Sequence, residues 1–134
     1  MYNLAKTLKN HGVEVQAVLG FNSQNDIFYQ KEFMDICPTY IATMDGSVGV
    51  KGTVIDALKE NHIEFDKYYA CGPEKMLDAL VLTYPENGYL SFEARMGCGF
   101  GACMGCSCKV KTKPYKRICV EGPVLMSSEV IVNG

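Results

Sequence analysis

Nowhere does this sequence hold an apolar run approaching the roughly 18 residues that a membrane-spanning helix requires. No apolar leader opens it either, and the expectation is a cytoplasmic chain without membrane partners. Charge of one sign is equally scarce, since 13 Lys and Arg against 15 Asp and Glu leave a net charge of −2 and a pI near 5.7. That balance gives no footing for nucleic acid or an anionic surface. Histidine is nearly missing. His11 and His62 are the two present, both lie in polar segments without a catalytic neighbourhood, and both read as solvated. With 48% hydrophobic and 21% charged residues the composition is globular, and 134 residues suit one ordinary domain or a modest domain with a small appendage.

Cysteine, by contrast, is concentrated. Cys98, Cys103 and Cys106 stand in Met96-Gly-Cys-Gly-Phe-Gly-Ala-Cys-Met-Gly-Cys106, and Cys119 follows at a distance. The spacing C-x4-C-x2-C with a remote fourth cysteine is the plant-type ferredoxin arrangement for a [2Fe–2S] cluster. A tight loop wrapping three thiolates around one inorganic core needs small residues. Gly97, Gly99, Gly101 and Gly105 let backbone N–H groups turn toward the sulfurs. Zinc is the rival ligand, as in a zinc-stapled interaction module, but structural zinc favours two close pairs and the first spacing here is x4. Disulfides suit secreted scaffolds, and seven cysteines is an odd count. Reduced thiols also fit the cytoplasm. Cys108, in an alternating stretch leaving the loop, reads as a small buried apolar side chain and not as a ligand.

Residues 1–86 alternate helix and strand. Leu4, Ala5 and Leu8 place a helix over Tyr2 to Asn10, and Val13 to Leu19 reads as a strand. A helix is expected over Ile27 to Ile36, a strand over Thr39 to Met44 and a helix over Thr53 to Glu60. A strand over Phe65 to Ala70 and a helix over Glu74 to Leu82 follow, with Asp45 to Gly52 as a loop and Pro73 in the last helix's first turn. This is the rhythm of a parallel α/β sheet. Its opening inside a helix leads to the expectation that the first strand and glycine turn of such a sheet lie outside these residues. Pro85-Glu-Asn-Gly88 marks a change to short strands, Tyr89 to Ala94 and Ser107 to Lys111. The expected division is therefore a partial NAD-binding-like α/β domain over 1–86 and a small antiparallel β cluster domain over 87–134. The basic turn Lys111 to Arg117 reads first as a solvated hairpin tip, and Ile118 to Val124 returns the fourth cysteine.

Ligands of open parallel sheets bind beyond the strands' carboxyl ends, where Gly20 to Ser23, Asp45 to Ser47 and Cys71 to Glu74 would lie. Resemblance sharpens this. Tyr69-Ala-Cys-Gly-Pro-Glu-Lys-Met76 resembles the Cys-Gly-Pro turn of the ferredoxin–NADP reductase superfamily, which borders the nicotinamide. Together with Ile41-Ala-Thr-Met-Asp-Gly-Ser47, Glu93 to Cys106 and Cys119-Val-Glu-Gly-Pro-Val124, it is similar to the electron-transfer subunits of NAD-dependent dihydroorotate dehydrogenases, from Tyr2 to about Val124. The resemblance implies Cys98, Cys103, Cys106 and Cys119 as cluster ligands, and Cys71, Gly72, Pro73, Asp45 and Gly46 as neighbours of the nucleotide. It implies FAD and NAD as family cofactors, and an FMN-containing catalytic subunit as partner, in a heterotetramer serving pyrimidine biosynthesis. The family's flavin barrel and Gly-Gly-Gly-x-Gly turn do not occur in these 134 residues, and by itself the chain is expected to bind no FAD and turn over no NADH. The nearest alternative is the iron–sulfur flavoprotein subunit of a hydrogenase or transhydrogenase.

Overall fold

A computed structural model describes residues 1–132, which form two compact units, 1–64 and 65–132. The first unit opens with helix α1 (Tyr2–Asn10), whose Ala5 is buried and whose Tyr2 ring meets Phe33 edge-on at 5.4 Å. Strands β1 (Ala17–Phe21), β2 (Thr39–Thr43) and β3 (Val50–Lys51) make a three-stranded parallel sheet in that order, with Ala17 opposite Thr39 and Phe21 opposite Thr43. Helix α2 (Gln30–Met34) lies between β1 and β2, and α3 (Val54–Glu60) packs on the sheet through Ile55 and Ala57. The start of α3 is set locally. Thr53 and Asp56 form a reciprocal capping box, with the Thr53 N–H donating to Asp56 at 2.7 Å and the Asp56 N–H to the Thr53 hydroxyl at 3.3 Å.

Two expectations shift here. The strand expected over Val13 to Leu19 begins at Ala17, because Pro38 offers its partner only a carbonyl. The Ala17 N–H takes that carbonyl at 2.9 Å, and the ladder starts beyond it. The loop expected over Asp45 to Gly52 contains β3, a two-residue strand that glycines on both sides hide from any periodicity.

In the second unit, β4 (Tyr68–Cys71) pairs in parallel with β5 (Gly88–Ser91), and β8 (Val124–Met126) adds antiparallel to β5. Helix α4 (Glu74–Thr83) joins β4 to β5 and buries Leu77, Leu80 and Val81. Pro73 is the cap of α4, one position before the first turn where it was expected. Strands β6 (Ser107–Cys108) and β7 (Lys116–Arg117) form an antiparallel pair, followed by the single helical turn α5 (Ile118–Glu121). One core gathers Leu77, Val81, Leu90, Phe92, Cys106, Val110, Ile118, Leu125 and Val130. The Tyr68 hydroxyl donates to the Tyr84 carbonyl at 2.7 Å, and the Gly88 N–H donates to the buried Ser127 hydroxyl at 2.9 Å. The division expected at residue 86 runs through this unit. Leu90 on β5 sits in the same core as Leu77 on α4, so burial joins what the change in composition separates.

Candidate metal centre

The cysteine loop is strung between β5 and β6, and its last residue anchors it. Cys106 is 4% exposed and packs with Val110 and Ile118, and its carbonyl accepts the Ile118 N–H at 3.1 Å. That bond brings α5 against the loop and places Cys119 Sγ 3.3 Å from Cys106 Sγ. Segment 118–124 thus returns the fourth cysteine as expected, but on a helical turn. At the other end of the loop, the Cys103 N–H donates to Cys98 Sγ at 3.4 Å. Cys106 and Cys119 thus form one pair of thiols, while Cys98 takes the backbone N–H of Cys103.

Backbone dipoles act most on two of these sulfurs, Cys98 and Cys106. The Cys103 N–H, followed by that of Phe100, lowers the Cys98 thiol to about 6, so it is a thiolate near neutral pH. The Cys119 N–H and side chain lower Cys106, while Cys119 is raised because its thiol bonds to Cys106 and is then desolvated. A Cβ at Gly97 would stand 3.3 Å from Cys103 Sγ, a close approach, whereas one at Gly105 would make an ordinary contact at 3.6 Å. Among the described residues, no group of three or more His, Cys, Asp or Glu is arranged around a single metal ion. The Cys106–Cys119 pair fits one iron of a two-iron core, because each iron of a [2Fe–2S] rhomb already has two sulfides and needs two thiolates. Cys108 is half-buried against the core and burial raises its thiol, with Glu74 adding to the effect. Cys37 lies in the core of the first unit with Ala5, Ala17 and Phe33.

The basic turn departs from its expectation. Lys113 and Arg117 both pair with Glu121, and Lys116 pairs with Glu129, which is 8% exposed. Burial pushes the Glu129 carboxyl up, but Lys116 and the Met126 N–H at 3.0 Å outweigh it and the net direction is down. These cations brace the cluster segment, and the reading of a solvated tip is corrected for the half-buried Lys116 and Arg117, while Lys113 stays exposed at the tip. Residue type alone did not reveal this. The i,i+4 spacing of Arg117 and Glu121 was the available signal.

Asp45 and Gly46 lie in the first unit, just past the carboxyl end of β2. The Ser47 hydroxyl and N–H donate to Asp45 at 2.6 and 2.9 Å and lower its carboxyl. Ser47 Oγ in turn accepts the Gln24 N–H at 2.8 Å, which ties the turns after β1 and β2 together. The buried Thr43 hydroxyl donates to the Val48 carbonyl at 2.7 Å and accepts the Val48 N–H at 3.2 Å, closing the same turn. Cys71, Gly72 and Pro73 lie in the second unit at the carboxyl end of β4, and Cys71 is exposed. Gly72 and Pro73 border a cavity of about 380 Å³ with Glu74, Leu77, Phe92 and Glu93. The last two sit beyond β5 and carried no sequence signal.

Parallel strands whose carboxyl-end turns carry Asp45-Gly46 and Cys71-Gly-Pro73, followed by a C-x4-C-x2-C loop, define an iron–sulfur protein of the ferredoxin–NADP reductase type. A solved structure agrees. The NADH-dependent reduced ferredoxin-NADP oxidoreductase, described in connection with flavin-based electron bifurcation, superposes with a TM-score of 0.81 at 30% identity, over 97% of this chain and 49% of that one. The model of the family "iron-sulfur cluster binding domain of dihydroorotate dehydrogenase B" matches residues 93–131. The dihydroorotate dehydrogenase B (NAD(+)) electron transfer subunit of Fusobacterium nucleatum is 50% identical over 99% of the chain and 53% of its own length. That of a Geobacillus species is 49% identical over 98% of the chain and 52% of its own. Over nearly its whole length the chain is similar to dihydroorotate dehydrogenase B electron transfer subunits. It spans about half the length of the curated relatives it matches.

Proposed function

We propose that this chain carries the nucleotide-domain and cluster parts of an electron-transfer subunit. In this reading Cys98, Cys103, Cys106 and Cys119 hold a [2Fe–2S] cluster, with Cys98 and Cys103 on one iron and Cys106 and Cys119 on the other. The observation that carries the reading is the 3.3 Å approach of Cys119 Sγ to Cys106 Sγ, with the Cys103 N–H on Cys98 Sγ at the other end of the loop. When bound, the cluster supplies one-electron transfer with little rearrangement. The chain's own work is to hold that group, to favour the thiolates of Cys98 and Cys106 through backbone N–H groups, and to shield one side of it with the core around Cys106 and Ile118. No residue is assigned as a general acid or base.

The partner would be an FMN-containing catalytic subunit that oxidises dihydroorotate, joined in a heterotetramer in the cytoplasm. Electrons would pass through this chain toward FAD and NAD, as a step of pyrimidine biosynthesis. Although the second compact unit spans residue 86, residues 1–86 would serve the nucleotide side and 87–134 the cluster. Asp45, Gly46, Cys71, Gly72 and Pro73 would border the NAD site. Identity of 50% to the dihydroorotate enzymes, against 30% to the ferredoxin-NADP oxidoreductase, favours this over the other reductases of the type. The test is direct. Protein purified under anaerobic conditions should contain two irons and two acid-labile sulfides per chain, absorb in the visible, bleach with dithionite and show an EPR signal only when reduced. Stoichiometric zinc without labile sulfide in iron-replete preparations would overturn it.

A further inference from the structure

Arg117 ends β7, two positions before Cys119, and both faces of its side chain are occupied. Its backbone N–H donates to Glu121 Oε2 at 2.9 Å and its Nε to the same oxygen at 3.3 Å, while Lys113 takes Oε1. At the far end, Nη1 donates to the Gly101 carbonyl at 3.0 Å. Gly101 lies between Cys98 and Cys103. Its carbonyl belongs to the Gly101–Ala102 peptide, which adjoins the Ala102–Cys103 peptide whose N–H donates to Cys98 Sγ at 3.4 Å. A trans peptide carries its C=O and N–H on opposite sides, so a cation on the oxygen strengthens the dipole at the hydrogen. The guanidinium is charged at any working pH. Its approach depends on glycine, since a Cβ at position 101 would come 2.8 Å from Val120 Cγ2 and 3.1 Å from Arg117 Nη1.

We propose that Arg117 is a positioning residue for the cluster: through the Gly101–Ala102 peptide it fixes the Cys98–Cys103 loop and raises the reduction potential of the group bound there. The inference rests on the four cysteines being the ligands. With four thiolates the oxidised [2Fe–2S] group carries a net charge of −2, and one electron makes it −3 with no proton moved. A fixed positive dipole stabilises the more negative state more, and Glu121 on the far side of the guanidinium partly cancels it. Opposite effects therefore follow from removing the two partners.

The experiment compares the chain with R117Q, R117K and E121Q, each loaded with iron and sulfide under anaerobic conditions and titrated potentiometrically by its visible spectrum. R117Q should retain two irons and two sulfides but shift electron exchange about tenfold toward the oxidised form, about 59 mV lower for one electron. R117K, which keeps a charge on a single donor, should fall between R117Q and the parent. E121Q should shift the potential upward. Unchanged potentials in R117Q and E121Q, with the cluster lost faster from both, would mean that the pair only braces the loop, and the proposal fails. Should R117Q not load, E121Q decides, and a potential unmoved or lowered there also overturns it. Failure of the underlying ligand assignment looks different, because the parent chain itself would then contain no labile sulfide.

Discussion

Cys106 Sγ lies 3.3 Å from Cys119 Sγ although 13 positions separate them, because the Ile118 N–H bonds to the Cys106 carbonyl at 3.1 Å. One hydrogen bond and one buried apolar side chain, Ile118 at 3% exposed, thus register the helical turn that carries the fourth thiol against the loop that carries the other three.

That register separates ligands from bystanders. Alanine at Cys98, Cys103, Cys106 or Cys119 should each abolish the intact chromophore. Cys108→Ala and Cys37→Ala should keep it, at a cost of about 1 kcal/mol or somewhat more for truncating a packed side chain. Visible spectra and iron counts of the six variants check this. Loss of the chromophore in Cys108→Ala, with Cys119→Ala unaffected, would reassign the fourth ligand.

Acid should loosen the same segment. Lys113, then the Arg117 N–H, hold Glu121 at about 2, below its ordinary value of 4.5. A carboxylate held low contributes stability that is fully present above the unfolded value and lost as pH falls from 4.5 toward 2. Glu129, also held low, acts in the same direction. Urea midpoints followed by tyrosine fluorescence should therefore fall over that window. In E121Q the fall should be shallower, and an equally steep fall would contradict the assignment.

Thr43 governs the turn that carries Asp45 and Gly46. Its hydroxyl is fully buried and serves Val48 as both donor and acceptor. Thr43→Val keeps the shape, leaves both Val48 groups unpaired and should cost about 1–3 kcal/mol. Amide exchange in residues 43–48 should accelerate more than in β1, whereas uniform protection across the unit would show that the turn closes without this hydroxyl.

Some elements were legible because local chemistry fixes them. The proline before α4 and the spacing of Leu4, Ala5 and Leu8 act within a few residues, and α1 and α4 lie where they point. Others needed the rest of the chain. The helix expected over Ile27 to Ile36 is only Gln30–Met34, preceded by Tyr29 with a left-handed backbone, which side-chain periodicity does not register. Strand β3 exists because Ala42 and Thr43 of β2 offer a ladder to Val50 and Lys51, and two residues between glycines carry no pattern of their own.

By itself the sequence narrowed the chemistry. Cysteine spacing and intervening glycines are local, and they single out the thiols expected to wrap one small inorganic core. The tertiary structure decided what surrounds it. Which cations face which carboxylates, and which carbonyl receives Arg117, depends on pairing β6 with β7 and on burying Ile118 beside Cys106. Electrostatics depends on distance through space, and a linear pattern of Lys, Arg and Glu leaves that distance open until the backbone closes it.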